Sequence, residues 1–282
     1  MDLRRRFIFR GNAAAIGGRI VRPTDLFLES GTASSLTVVG GRSRAEAGAT
    51  RFGDLVSFEG ASTSAEGVFD DVKRQIELTY HRVAEDALTT STHVSADVSG
   101  FRVDIDPGFS AKRVRASLRS TSPTGSGEPA IVVTDDTVIE GAAIGGHPLV
   151  IQLATAVFQR HNTRSKLLAA ADDPDFVKES GDCLFMRASM GGTPPPATAR
   201  VLHSSGTTYA TIVKSIHWAR DPYPGAEIDH HSVIVRDFGR IFFGELLVTD
   251  LSRRLTMVRF ELGSPVGGSA ACAEVESNGT WS

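Results

Sequence analysis

Asp229-His230-His231 is the densest run of chemistry-bearing side chains in the sequence. Two imidazoles and a carboxylate suit zinc, iron or manganese. Three protein ligands and one water would leave the open position that metal-assisted hydrolysis uses. His217 and Glu245, on neighbouring expected elements, are the residues to complete such a set. A histidine here would otherwise act as an acid–base group near neutral pH. On an extended segment the two imidazoles point to opposite faces, so one of them faces any given cavity. The plain alternative is a polar turn feeding a strand, with both histidines in water.

A second set lies in the last fifty residues: Arg240, Glu245, Arg253, Arg254, Arg259 and Glu261. Arg259 and Glu261 stand two apart on one face of an otherwise apolar strand. Buried Arg and Glu are tolerated when paired and hydrogen-bonded, so an internal ion-pair network is one reading. The other is a ligand cleft, where arginine grips a carboxylate or phosphate and a neighbouring carboxylate acts as a base. Trp218 and Tyr223 sit in a loop-like stretch, IHWARDPYPGAEIDHH, and aromatics beside acids are what sugar and protein contacts use. They equally suit plugging the end of a β-sandwich. The N-terminal cluster of Arg4, Arg5, Arg6, Arg10, Arg19 and Arg22 suits an anionic partner or, with Phe7 and Phe9 on the alternate face, a solvated strand. Single-stranded nucleic acid would want more interleaved aromatics.

The composition that carries these residues is ordinary for a globular protein, with 41% hydrophobic and 22% charged residues in a chain of 282. A net charge of −3 argues against a general grip on nucleic acid or on an anionic membrane surface. No apolar run reaches the ~20 residues of a membrane helix. Phe7-Ile8-Phe9 is cut off by Arg10, so it is too short for a secretory signal, and the expected compartment is the cytoplasm or export by another route. Two cysteines, Cys183 and Cys272, make no disulfide framework.

The positioning elements read as strands. Phe101-Val103-Ile105 alternate with charged residues, Pro107-Gly108 turns the chain, and Val114, Ala116 and Leu118 alternate with Arg113, Arg115, Ser117 and Arg119. Ile131–Val133 and Leu149–Ile151 suit strands buried on both sides. Ser232–Arg236, Arg240–Val248 and Arg253–Leu262 form an antiparallel meander, turned at Asp237-Phe238-Gly239 and at Thr249–Ser252. Ala270–Glu276 would add a final edge strand. Val258, Phe260 and Leu262 are expected on one face, and Leu255, Met257, Arg259 and Glu261 on the other. Two short helices are expected: one over Val68–Ala87, where a strand is a rival, and one capped by Thr163.

Nucleotide loops, a nucleophile elbow and a zincin motif are all missing from the sequence. The expected fold is all-β with one or two short helices, as antiparallel sandwich-like sheets, with residues 1–125 and 126–282 as two packed modules. The leading functional expectation is a non-enzymatic scaffold that binds a ligand or protein partner or assembles with copies of itself, without a cofactor. Its ligand residues would be Trp218, Tyr223, Arg240, Glu245, Arg259 and Glu261. The alternative is a hydrolase-like enzyme whose metal or acid–base site lies near residues 217–245, with Asp229, His230 and His231 as divalent-metal ligands.

Overall fold

A computed structural model describes residues 7–29, 32–69, 89–123, 128–170, 173–180, 207–249, 251–262 and 269–281. Alternating apolar and polar residues dominate these segments, and they form two antiparallel sheets packed face to face. The fold is the expected all-β sandwich with short helices. Strands are numbered in chain order. The first sheet contains β1 (Phe7–Ile20), β2 (Leu26–Glu29), β3 (Ala33–Ser35), β14 (Thr207–Thr211), β16 (Ala226–Asp229), β17 (Ser232–Val235), β18 (Gly239–Thr249), β19 (Ser252–Leu262) and β20 (Ser269–Trp281). The second contains β4 (Gly41–Ala47), β5 (Thr50–Phe52), β6 (Val56–Phe58), β7 (Gly60–Phe69), β8 (Thr89–Val103), β9 (Phe109–Pro123), β10 (Ala130–Val133), β11 (Val138–Glu140), β12 (Ala143–Ile144), β13 (His147–Leu153) and β15 (Val213–Trp218).

The first sheet draws on both ends of the chain. β1 pairs with β20 from Phe7↔Trp281 to Gly18↔Ala270, and β20 pairs on its other side with β19. The final strand, expected at an edge, is therefore central. A pairing between distant parts of the chain leaves no local pattern to reveal it. β1 and β20 lie over β7, β8 and β9, and one continuous apolar core fills the space between. Leu149–Ile151 and Ile131–Val133 have one buried face rather than two: Val150 is exposed and Val132 half-buried.

A transverse crease crosses both sheets. In β18 the inward residues are Ile241 and Phe243, then Leu246 and Val248. In β19 they are Leu255, then Val258 and Phe260; in β20, Ala270 and Cys272, then Val275 and Ser277. Register is unchanged on either side: Phe243↔Val258 and Glu245↔Thr256, Val258↔Cys272 and Thr256↔Glu274. The row Gly244, Met257, Ala273 and Ala15 makes no ladder pair between these points. Gly244 (φ 60°) and Ala273 (φ 54°) are left-handed there. The inward faces thus reverse together without the extra residue of a β-bulge. This corrects the expected face of Leu255, which lies inward with Val258. In the second sheet Gly100 (φ 60°) plays the same part between Ser99↔Arg113 and Phe101↔Ala111.

The crease separates two kinds of interior. On one side Phe101, Phe109, Phe243 and Phe260 interlock, with Phe109 and Phe260 centroids 5.3 Å apart. On the other the sheets meet through small and hydroxyl side chains. Ser34 Oγ lies 2.8 Å from Thr63 Oγ1, and Ser277 Oγ lies 3.0 Å from Ser120 Oγ.

Three short helices follow β13: α1 (Thr155–Arg160), α2 (Arg164–Ala170) and α3 (Pro174–Ser180). Thr163 caps α2 as expected, its Oγ1 accepting from Lys166 N at 3.2 Å. The Glu128 carboxylate accepts from Arg164 N at the same terminus. Because the two caps share the load, Thr163→Ala is expected to lower stability by about 0.5–1 kcal/mol in urea denaturation. The helix expected over Val68–Ala87 lies outside the described residues, apart from Val68 and Phe69, which end β7.

Candidate functional site

The meander positions most of the expected site on the outer face of the first sheet. The hairpin from β16 to β17 turns through His230 and His231, with Asp229 opposite Ser232. His230 has φ 53°, so the pair is the polar turn of the plain reading and not an extended segment. His231 is only 4% exposed, which corrects the picture of two solvated imidazoles. Its Nε2 lies 3.7 Å from Glu245 Oε1. His230 Nε2 lies 3.8 Å from Asp229 Oδ1.

Two arginines organise the rest. Arg240 donates to the Asp229 carboxylate, and its Nε donates to Ser232 Oγ at 2.9 Å. Arg259 donates to both oxygens of Glu245, with Nη2–Oε1 at 2.9 Å, and through Nη1 to Glu261 Oε1. Register explains the meeting: Phe242 stands opposite Arg259, and Arg240 opposite Glu261. The crease at Gly244 turns Glu245 to the same outer face. Both guanidiniums lie over the Phe242 ring, Arg240 at 4.8 Å and Arg259 at 3.9 Å from its centroid, and the ring is 1% exposed although it belongs to no part of the main core. A guanidinium over a desolvated ring face gains cation–π attraction and excludes water from the pairs beside it.

Burial pushes the Glu245 carboxyl up, but the hydrogen bonds and charge of Arg259, aided by His231, outweigh it and bring the group down to about 2. Burial alone would lower Arg259; Glu245 and Glu261 raise it instead. Both stay ionised at any physiological pH. Asp229 and Glu245 are thus bound by arginine where the metal reading needs free ligands. Among the described residues no group of three or more His, Cys, Asp or Glu is placed to hold a metal ion.

The other expected residues lie elsewhere. His217 is exposed on β15 of the second sheet, opposite Val150. Trp218 and Tyr223 gather edge-to-face around the His147 imidazole, at 6.5 and 5.5 Å, and pack against the core. Arg253 is buried, pushed down to about 10 by desolvation, and donates to the carbonyls of Thr249 and Asn162 at 3.3 and 3.2 Å. Arg10 is exposed on β1 with Phe7 and Phe9 inward, as its alternation implied, whereas Arg4, Arg5 and Arg6 lie outside the described residues. So does Cys183, while Cys272 is a buried free thiol.

The sequence reading missed a second polar network, on the outer face of the second sheet. Arg113 forms a fork on Asp97 at 3.0 and 2.7 Å, and Arg115 bridges Asp97 to Asp136 at 2.9 and 2.6 Å. Beside it, His93 Nε2 lies 3.0 Å from Ser117 Oγ, and the Ser117 hydroxyl also bonds the Asp136 carboxylate. The residue types match a serine triad, but the order does not: a triad carboxylate holds the histidine, not the serine. Ser117 is also fully buried. The outward alternation of Arg113, Arg115, Ser117 and Arg119 was visible in sequence; their partners needed the register of β8 and β9.

No helix among the described residues is long and apolar enough to cross a membrane. No curated protein and no solved structure matches the chain. A family model described as a domain of unknown function, DUF8256, matches residues 7–249, and the chain belongs to that family.

Proposed function

We propose that this protein is a non-enzymatic β scaffold that binds a ligand or protein partner or assembles with copies of itself. One observation carries the reading: the acids expected to do chemistry are held by arginines on the same sheet. Asp229 is held by Arg240, and Glu245 and Glu261 by Arg259, while His231 is buried beside them. A general base must reach a substrate proton, and an arginine-forked carboxylate beside a sealed imidazole is poorly placed to do so. A network of this kind instead fixes the geometry of a surface.

Partners in this reading are proteins or small ligands rather than nucleic acid or membrane, in keeping with the charge of −3. A cytoplasmic setting goes with it, with Cys272 as a free thiol. Light scattering on untagged protein, with metal analysis of the same sample, tests the proposal. A defined oligomer with well under one metal per chain is the expected result. About one zinc, iron or manganese per chain, lost in His231→Ala, would replace the scaffold with the hydrolase-like alternative.

A further inference from the structure

An open cleft of about 410 Å³ lies on the outer face of the second sheet, next to the crease at Gly100. The polar side chains lining it are Glu46, Ser62, Asp97, Ser99 and Arg113, over a floor of small residues. The register places them together. Ser62 stands opposite Asp97 on β8 and opposite Glu46 on β4, and Ser99 stands opposite Arg113. This site is separate from the Arg259 network, which lies on the other sheet.

Its chemistry narrows the ligand. Asp97 is pushed up by burial and brought down by the two arginines bonded to it, so it stays ionised and fixed in one orientation. Arg113 holds Asp97 through Nε and Nη2, and a pair fixed in this way costs little ordering when a ligand shares the carboxylate's further lone pairs. An anion would meet Glu46 and Asp97. A cation would meet Arg113, and would compete with Arg44 and Arg115 for carboxylates that they already contact. An apolar ligand would find only Ala47 and Ala61. What remains is a ligand whose every group both donates and accepts, matching a lining of alternate acceptors, donors and hydroxyls. Pockets for small ligands run from about 300 to 1,000 Å³, so this cleft is at the small end.

We infer that this cleft binds a neutral polyhydroxylated ligand, a carbohydrate fragment of about one or two rings. The inference rests on the binding-scaffold reading and names the ligand class and the place. Vicinal hydroxyls bridge Asp97 and Arg113, and Ser62 and Glu46 close the opposite rim.

Saturation-transfer NMR on the full chain tests it, with glucose, galactose, mannose, N-acetylglucosamine, cellobiose, lactose and maltose as probes at millimolar concentration. At least one is expected to show transfer, with millimolar affinity. Ser62→Trp fills the cleft from an outward strand position and should weaken that binding at least about tenfold. Glu46→Gln, on an exposed rim, leaves the fold intact and should weaken it severalfold. Transfer from none of the probes overturns the inference, as does transfer equal in Ser62→Trp and the parent. If no sugar binds but light scattering finds a defined oligomer, the carbohydrate inference fails and the scaffold stands. If a disaccharide binds and is cleaved during the experiment, the cleft stands and the non-enzymatic reading fails.

Discussion

Gly244→Ala is expected to destabilise the protein by roughly 2–5 kcal/mol, a large share of the about 5–15 kcal/mol that holds an ordinary domain folded. Two effects add. The residue sits at φ 60°, where a Cβ is strained. That Cβ would also lie 2.8 Å from Ile212 Cγ1 and 3.1 Å from Val213 Cγ2. Neither neighbour can yield easily, because Ile212 and Val213 are buried in the core. The measurement is urea denaturation followed by circular dichroism. A loss below about 0.5 kcal/mol, the size of an ordinary surface change, would show that the first sheet does not depend on its crease at this point.

Glu245→Ala should cost on the order of 3 kcal/mol, because it leaves the Arg259 guanidinium largely buried and with Glu261 as its only remaining carboxylate partner among the described residues. The double variant Glu245→Ala/Arg259→Met should recover much of the loss, since a buried pair replaced by apolar groups is often neutral. If the double variant is as unstable as the single, the ion pair is not the cause. The same pair sets an acid limit. The folded-state carboxyl lies at about 2 and the ordinary value is 4.5, so the native state binds this proton more weakly than the unfolded state. The stabilisation is complete above about pH 5 and is lost as pH falls from there towards 2. Glu245→Gln should flatten the slope of stability against pH in that window, while the slope above pH 6 stays unchanged.

Both effects explain what could be read in advance. Arg259 and Glu261 were legible as a pair because a spacing of two on a strand puts them on one face. Glu245 as the stronger partner was not, because strict alternation places it on the face of Ile241 and Phe243; only the reversal at Gly244 brings it to Arg259. No pattern in the sequence marks Phe242, a buried ring outside the main core that lies beneath the Arg240 and Arg259 guanidiniums. The sandwich was legible from period-2 patterning and turn residues. Its central β1–β20 pair was not, since long-range pairing is set by tertiary fit and not by any local signal. The polar turn at His230 and His231 was legible, but the burial of His231 beside Glu245 was not, because it depends on the register of the neighbouring strands. Trp218 and Tyr223 do cluster, but around His147, which is distant from them in sequence. The polar cleft rests on Asp97, one acid among many until β9 brings two arginines to it.

The pairing of β1 with β20 also constrains how the protein is made. Translation proceeds at about 5–20 residues per second, and roughly 250 residues separate the end of β1 from the start of β20. A nascent chain therefore carries β1 for more than ten seconds with its long hydrogen-bonding edge waiting for a strand not yet synthesised. The first sheet closes only after elongation has passed β20, and until then β1 is the segment for a holding chaperone to cover.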